Sequence, residues 1–343
     1  MRSDPAYALA LAVIVAAIYL VVLRLVDLNE KEPLWALAVA LLLGALAASV
    51  AGVTVDDSFR ELDRWGEAIT DEVAKVIALV AALAVLEAVG RVRGWSEVNG
   101  LVDGIVYGAA VGLGYATGEA FVREAAIGTA AIDTAQGAGG GSLLWTTLLH
   151  GLAQGVFGAI LGAGFGLAVD ARTPLRLVGA PVAALVAAVL FHVGYVAVGE
   201  AGSLDPGGAA QLRSWLVLLL PLALVAAAIA YALGRERTAI GDELADEAAS
   251  GTVTEADLDL LLRPGARRAR YAGRVARGDV AGWLELRAVH NRQVQLAMTE
   301  RRLRDAHDEE RRAGLQAEVD RLRVAILEHK RDAGLLDRAR STA

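Results

Sequence analysis

Cysteine is absent from the 343 residues, and lysine occurs only at Lys31, Lys75 and Lys330. The lack of cysteine excludes disulfide bonds and thiolate metal sites, so histidine and carboxylate side chains are the only strong metal ligands left. The formal net charge of −7 gives no reason to expect a nucleic acid as partner. Because arginine supplies nearly all of the basic residues, a lysine inside an apolar segment, such as Lys75, calls for a specific explanation.

Hydrophobic residues make up 55% of the chain and are gathered into seven long blocks. Each block has about 20 residues, the length of a helix that crosses a hydrocarbon core of roughly 30 Å. The sequence therefore predicts an all-α, polytopic membrane bundle of about seven transmembrane helices. The first block is too long for a typical signal peptide, so we expect it to be retained. The seven blocks are Pro5–Val26, Leu34–Val53, Ile69–Gly90, Leu101–Ala120, Leu143–Val169, Leu177–Val198 and Trp215–Leu233.

Two of these blocks carry glycines at four-residue spacing. Small residues at this spacing let helix backbones approach closely in lipid, so we expect the fourth and fifth helices to lie in the middle of the bundle. The glycines are Gly104, Gly108 and Gly112 in the fourth block, and Gly151, Gly155, Gly158, Gly162 and Gly166 in the fifth.

The composition changes after Gly234, where charged residues and helix formers replace the apolar blocks. We therefore divide the chain into a transmembrane catalytic domain, residues 1–234, and a soluble helical tail, residues 235–343. An apolar seam near the end of the tail has 4-3-4 spacing, as in a short coiled coil or a helical hairpin, and offers a surface for self-association or for a regulator. The seam consists of Leu315, Val319, Leu322 and Ile326.

Arginine placement predicts the orientation of the bundle. Arg235 and Arg237 follow the last block directly, which favours a cytoplasmic tail. With seven spans, the N-terminus then lies outside.

Ionisable residues lie inside several of the predicted spans. Asp71, Glu72 and Lys75 belong to the third, and three further residues belong to the next three spans. A charge at mid-membrane costs at least about 2.5 kcal/mol, so such residues usually serve a site or a pathway. Counted at about 1.5 Å per residue from the outer ends of their helices, the carboxylates and histidines lie within roughly 10 Å of the outer face of the membrane. The residues of the later spans are Glu119, His150 and His192.

This set of side chains suits hydrolysis in two ways. A divalent metal such as zinc would be held by Glu119, His150 and His192, with water as the fourth ligand. Without a metal, a carboxylate activates water directly and the histidines polarise the carbonyl group under attack. Lys75 shares a helical face with both carboxylates of the third span and can hold either of them ionised. Each residue alone also has a structural explanation, as a helix cap or a helix–helix hydrogen bonder.

At these residues the chain resembles the PrsW family of bacterial intramembrane proteases, which is related to the CAAX prenyl proteases. Asp71 stands where the family usually has a glutamate, and its side chain is shorter, so we assign the general base to Glu72. Val196 stands where an asparagine is common. The resembling stretches are Glu32-Pro33, Ile69–Ala78 (ITDEVAKVIA), Asp103–Ala120 (DGIVYGAAVGLGYATGEA), His150 with the GAILGAGFG that follows it, and Phe191-His192.

The resemblance implies an intramembrane endopeptidase of the bacterial plasma membrane. Its substrate would be a single-pass membrane protein, such as an anti-sigma factor, cut near the outer leaflet. One alternative is a proton- or ion-coupled transporter, which would be expected to show an internal repeat or paired broken helices. The other is a catalytically inactive membrane scaffold of the same family.

Overall fold

A computed structural model describes residues 5–26, 32–54, 63–93, 98, 100–127, 141–169, 171, 173–202, 209–306 and 308–332. These residues form eleven helices and no strand. The helices are α1 (Pro5–Val26), α2 (Leu34–Thr54), α3 (Asp63–Arg93), α4 (Leu101–Ile127), α5 (Gly141–Val169), α6 (Pro174–Gly202), α7 (Ala209–Ser250), α8 (Glu255–Leu262), α9 (Pro264–Ala276), α10 (Val280–Asp305) and α11 (Glu309–Asp332).

The all-helical membrane architecture predicted from the apolar blocks is confirmed. Six helices, α2 to α7, contain stretches long and apolar enough to cross a bilayer. Helix α1 adds a shorter apolar stretch, Leu9–Leu25. Large hydrophobic side chains are exposed along these helices, for example Leu42, Ile77 and Leu190. Such exposure is expected of surfaces that face lipid.

Helix α4 is the central helix of the bundle, as its glycines predict. It packs against α1, α2, α3 and α5. A Cβ added at Gly108 would lie 2.2 Å from the carbonyl oxygen of Gly158, and one at Gly104 would lie 2.3 Å from that of Gly162. Only glycine permits so close a contact between α4 and α5. Two further glycines, Gly114 and Gly118, make the same kind of contact with the backbone of α2.

Helix α7 extends much further than the apolar block predicts. The block ends at Leu233, whereas the helix continues to Ser250. Gly234 is the only helix breaker at the expected end, and a single glycine costs about 1 kcal/mol within a helix. The residues that follow it are good helix formers, so the helix continues. The chain divides into two compact units between Ala230 and Tyr231, within α7.

The second unit has its own apolar core. Thr254 caps α8 by accepting a hydrogen bond from the backbone N–H of Asp257 at 3.1 Å. The seam of α11 faces the core: Val319 and Ile326 are buried, and Leu322 packs beside them. Helix α11 packs against α10, and self-association through the seam stays a prediction. The buried core residues are Ile240, Leu244, Val253, Leu261, Val294, Leu296, Ala297, Val319 and Ile326.

Candidate active site

A buried ion pair lies on α3. The ammonium group of Lys75 is 2.5 Å from Oε1 of Glu72, and both side chains are fully buried. The two residues lie three apart, so they share one face of the helix. Since taking either charge out of water alone would be costly, each makes the burial of the other possible.

The same carboxylate orients a histidine of α6. Nδ1 of His192 lies 2.9 Å from Oε1 of Glu72. A carboxylate only accepts hydrogen bonds, so Nδ1 carries a hydrogen, and the tautomer with its lone pair on Nε2 fits this contact. Phe157 of α5 stacks on the imidazole, with ring centroids 5.1 Å apart and planes inclined by 25°. These contacts fix both the tautomer and the orientation of His192.

Asp71 lies on the other side of His192. Its Oδ2 is 4.0 Å from Nε2 of His192, and its Oδ1 accepts a hydrogen bond of 2.6 Å from the hydroxyl of Tyr115. A separation of 4.0 Å is too long for a direct hydrogen bond and suits a bridging water. Oδ2 of Asp71 and Nε2 of the imidazole can therefore both accept hydrogen bonds from one water molecule placed between them.

A second carboxylate–histidine pair lies beside the first. Nε2 of His150 on α5 is 2.9 Å from Oε2 of Glu119 on α4. Glu119 follows Tyr115 by one helical turn, so the residue that binds Asp71 and the residue that binds His150 share one face of α4. The pair is more exposed than the first, with 24% of the His150 side chain and 17% of that of Glu119 accessible.

The structure thus brings all six predicted site residues into one region, as a group of four and a group of two, each built on one carboxylate–histidine pair. Lys75, Glu72 and His192 form a continuous network with Asp71 at its edge, and Glu119 and His150 form the second pair. The depth argument predicts the common level. It does not predict which carboxylate binds which histidine, because that depends on the rotation of each helix.

Three residues of this region, Tyr115, Phe157 and Gln154, are missing from the site predicted from sequence; the hydroxyl of Tyr115 donates to Asp71. Phe157 stacks on His192, and its apolar character resembles that of any core residue. Gln154 is 1% exposed on the same helix. A signal for it exists, because it follows His150 by four residues and therefore shares its helical face.

A family comparison agrees with this geometry. The sequence profile described as PrsW family intramembrane metalloprotease matches residues 32–229, which is more than half of the chain. The chain belongs to the PrsW family. The matched segment contains every residue of the two pairs. The comparisons with curated proteins and with solved structures gave no match.

The description of the PrsW family implies a metal ion, and the donor types here, imidazole and carboxylate, are those that bind zinc. A catalytic zinc site uses three protein ligands and a water. Within the described parts of the chain, no three His, Cys, Asp or Glu side chains form a group that could hold a metal. His150 and His192 each direct one ring nitrogen at a carboxylate 2.9 Å away. The side chains as placed do not fit a three-ligand centre, and the zinc site of Glu119, His150 and His192 stays a prediction.

Proposed function

We propose that this PrsW family member is an intramembrane endopeptidase that hydrolyses a peptide bond of a single-pass membrane protein, with Asp71 as the general base. The observation that supports the proposal is the position of Asp71 beside an imidazole whose tautomer is fixed. Glu72, which the sequence favours as the base, instead has its Oε1 engaged by Lys75 and His192. We therefore assign Glu72 to positioning His192.

In the proposed reaction, one water lies between Oδ2 of Asp71 and Nε2 of His192. Asp71 takes one hydrogen of the water as a proton, and His192 accepts a hydrogen bond from the other. The water oxygen forms a bond to the carbonyl carbon of the peptide. The C–N bond then breaks, and Asp71 returns the proton to the leaving nitrogen. The more exposed pair of Glu119 and His150 is assigned to contact with the substrate.

The bilayer limits where such a cut can occur. A peptide bond must leave its helix before water can attack it, and lipid offers no replacement for the helical hydrogen bonds. Unwinding costs least near a water interface, where the depth argument places the four residues of the two pairs. A regulatory substrate such as an anti-sigma factor, cut near the outer leaflet of the bacterial plasma membrane, fits this proposal and the family resemblance.

The proposed orientation has a direct test, because the native chain contains no cysteine. A single cysteine at Ser142 should react with a membrane-impermeant maleimide in intact cells, and one at Ser341 only after lysis. The reverse pattern would place the tail outside and the site near the cytoplasmic face.

Cleavage is tested in proteoliposomes with internally quenched single-pass peptides. Each peptide has an apolar segment of about 20 residues, and a Gly-Pro pair is moved along it from peptide to peptide. The wild-type protein should cut peptides with the pair near one interface, and Asp71→Asn should cut them about 10²–10⁴-fold more slowly. Thr117→Val is the matched control. The hydroxyl of Thr117 donates to the backbone oxygen of Leu113. Thr117 follows Tyr115 by two residues and therefore lies on the opposite face of α4.

Two further measurements separate the alternatives. Retained cleavage after dialysis against a chelator supports the carboxylate mechanism, and loss that zinc restores supports the metal-dependent one. If the wild-type protein cuts no peptide of the panel but moves protons or ions across the vesicle membrane, the transporter alternative replaces the proposal.

A further inference from the structure

Gln154 on α5 carries a side-chain amide that is deeply buried among the membrane helices. Gln154 is 1% exposed, and its Oε1 has no hydrogen-bond partner in the part of the chain that the structure describes. A buried amide without a partner is unfavourable, so stability does not explain why glutamine occupies this position. Leucine has nearly the same size and would carry no such cost.

The helical face of Gln154 is that of the candidate site. His150, one turn before it, binds Glu119, and Phe157, nearly one turn after it, stacks on His192. Residues at this spacing project from one side of a helix. Side chains on a helix also lean toward its N-terminus, so the amide points toward His150. Along α5, Gln154 therefore lies between His150, which belongs to the second carboxylate–histidine pair, and Phe157, which contacts the first.

Helix packing holds Gln154 in this place. A Cβ added at Gly112 of α4 would lie 2.0 Å from the backbone oxygen of Gln154, so the two backbones are in direct contact there. Tyr115, the partner of Asp71, follows Gly112 by three residues on the same helix. The backbone that carries the amide is thus fixed against the helix that positions Asp71.

The other hydrogen-bond donors of the site already have carboxylate partners. Lys75 and His192 donate to Glu72, Tyr115 donates to Asp71, and His150 pairs with Glu119. Adding water to a peptide carbonyl group creates negative charge on its oxygen, and hydrolysis needs a donor aimed at that charge. On the face of α5 that carries His150 and Phe157, Gln154 has a side-chain amide whose N–H groups can donate hydrogen bonds.

We propose that Gln154 is a further catalytic residue, whose side-chain N–H donates a hydrogen bond to the carbonyl oxygen of the peptide bond being cut. This inference rests on the proposed proteolytic function.

The test compares Gln154→Leu, Gln154→Asn and the control Thr117→Val in the proteoliposome assay with the Gly-Pro peptide that the wild type cuts fastest. We expect Gln154→Leu to lower kcat by about 10²–10³-fold with KM unchanged, as for loss of one oxyanion donor. Gln154→Asn keeps an amide one methylene shorter and should retain more of the rate than Gln154→Leu. Thr117→Val should cut like the wild type.

Thermal unfolding of the same purified proteins distinguishes catalysis from a structural role. Because leucine removes an unpartnered amide, Gln154→Leu should unfold at the wild-type temperature or above it. Unfolding at a lower temperature would overturn the inference whether or not the protein cuts peptides. Wild-type kcat in Gln154→Leu, or a change in KM alone, would also overturn it, while leaving the proposed function intact. A wild-type protein that cuts no peptide would count against the proposed function instead.

Discussion

Both units of the molecule bury a lysine against a carboxylate, and the two pairs differ in what they join. In the membrane unit Lys75 lies 2.5 Å from Glu72. In the second unit Lys330, which is 2% exposed, lies 3.0 Å from Asp257. Two of only three lysines in the chain are used in this way. Buried ion pairs contribute little net stability, because desolvation offsets the attraction, so each pair needs a further reason.

The reason for the second pair is the fold of its unit. Lys330 belongs to α11 and Asp257 to α8, and the ammonium group also donates to the backbone oxygen of Thr252 at 3.0 Å. The amide of Gln293 on α10 donates to the same carboxylate at 3.2 Å. Three helices and one turn are thereby held together.

The pair in the membrane unit joins no helices by itself, since both residues lie on α3. It supplies an ionised Glu72, which holds Nδ1 of His192 from another helix. Aromatic rings enclose Lys75, with its ammonium group 5.1 Å from the ring centre of Tyr115 and 5.7 Å from that of Phe157. The comparison shows that a buried lysine–carboxylate pair links helices in the second unit, whereas the pair in the membrane unit fixes a histidine of the proposed active site.

The largest expected effect is that of Asp71→Asn. The amide cannot take a proton from water, so cleavage should fall by about 10²–10⁴-fold, the usual contribution of a general base. Glu72→Gln should lose less, because its amide oxygen can still accept from Nδ1 of His192. Initial rates on one quenched peptide measure both. A greater loss in Glu72→Gln than in Asp71→Asn would make Glu72 the base, as the sequence first suggested.

The two lysines provide the sharpest comparison. Lys75→Met should abolish most cleavage, because it leaves Glu72 buried without its countercharge and frees His192. Lys330→Met should leave cleavage unchanged and expose the amides of α8 and α11 to hydrogen exchange. Removing one partner of a buried pair costs about 3–5 kcal/mol.

Double variants separate fold from chemistry at each pair. Adding Glu72→Gln to Lys75→Met should recover thermal stability but not cleavage, whereas adding Asp257→Asn to Lys330→Met should recover amide protection. If cleavage changes in parallel with stability for both lysine–carboxylate pairs, the two pairs have the same role, which would contradict the comparison.

The sequence predicts the elements of this protein better than it predicts their contacts. Apolar blocks locate the membrane helices because the thickness of the bilayer sets their length. The sequence does not predict the end of α7 at Ser250, because Gly234 alone does not stop a helix. It does not predict the partner of His192 either, since depth along a helix carries no information about the helix's rotation in the bundle. Gln154 gives only a weak signal, because it is an uncharged residue in an apolar block.

A smaller effect concerns the pH dependence of the second unit. Burial and the neighbouring Glu247 carboxylate raise the pKa of Glu300 to about 7 from 4.5. The protonated form therefore favours the fold, and its contribution is complete below pH 4.5 and lost as pH rises to about 7. Glu300→Gln removes this loss, so at pH 8 the amides of α10 should be better protected than in the wild type. Equal protection factors at pH 8 would contradict the raised pKa, and cleavage should not change.

The smallest effect on cleavage is expected from removal of the second unit. A stop codon after Arg237 deletes Ile240 and Leu244 and, with them, the core of the unit. The membrane helices that carry the two carboxylate–histidine pairs stay complete, so we expect the truncated protein to insert and to cut peptides at close to the wild-type rate. Normal insertion without cleavage would show that the second unit controls the site, and that the two units are not independent.

The most direct test of the central claim, that Asp71 and its neighbours activate water to cut a peptide bond, uses water labelled with ¹⁸O. Wild-type protein and Asp71→Asn are reconstituted with the same quenched peptide, and the products are analysed by mass spectrometry. The wild type should yield one new carboxyl group containing a single ¹⁸O atom, and Asp71→Asn should form this product about 10²–10⁴-fold more slowly. Labelled product formed at equal rates by both proteins would contradict the account.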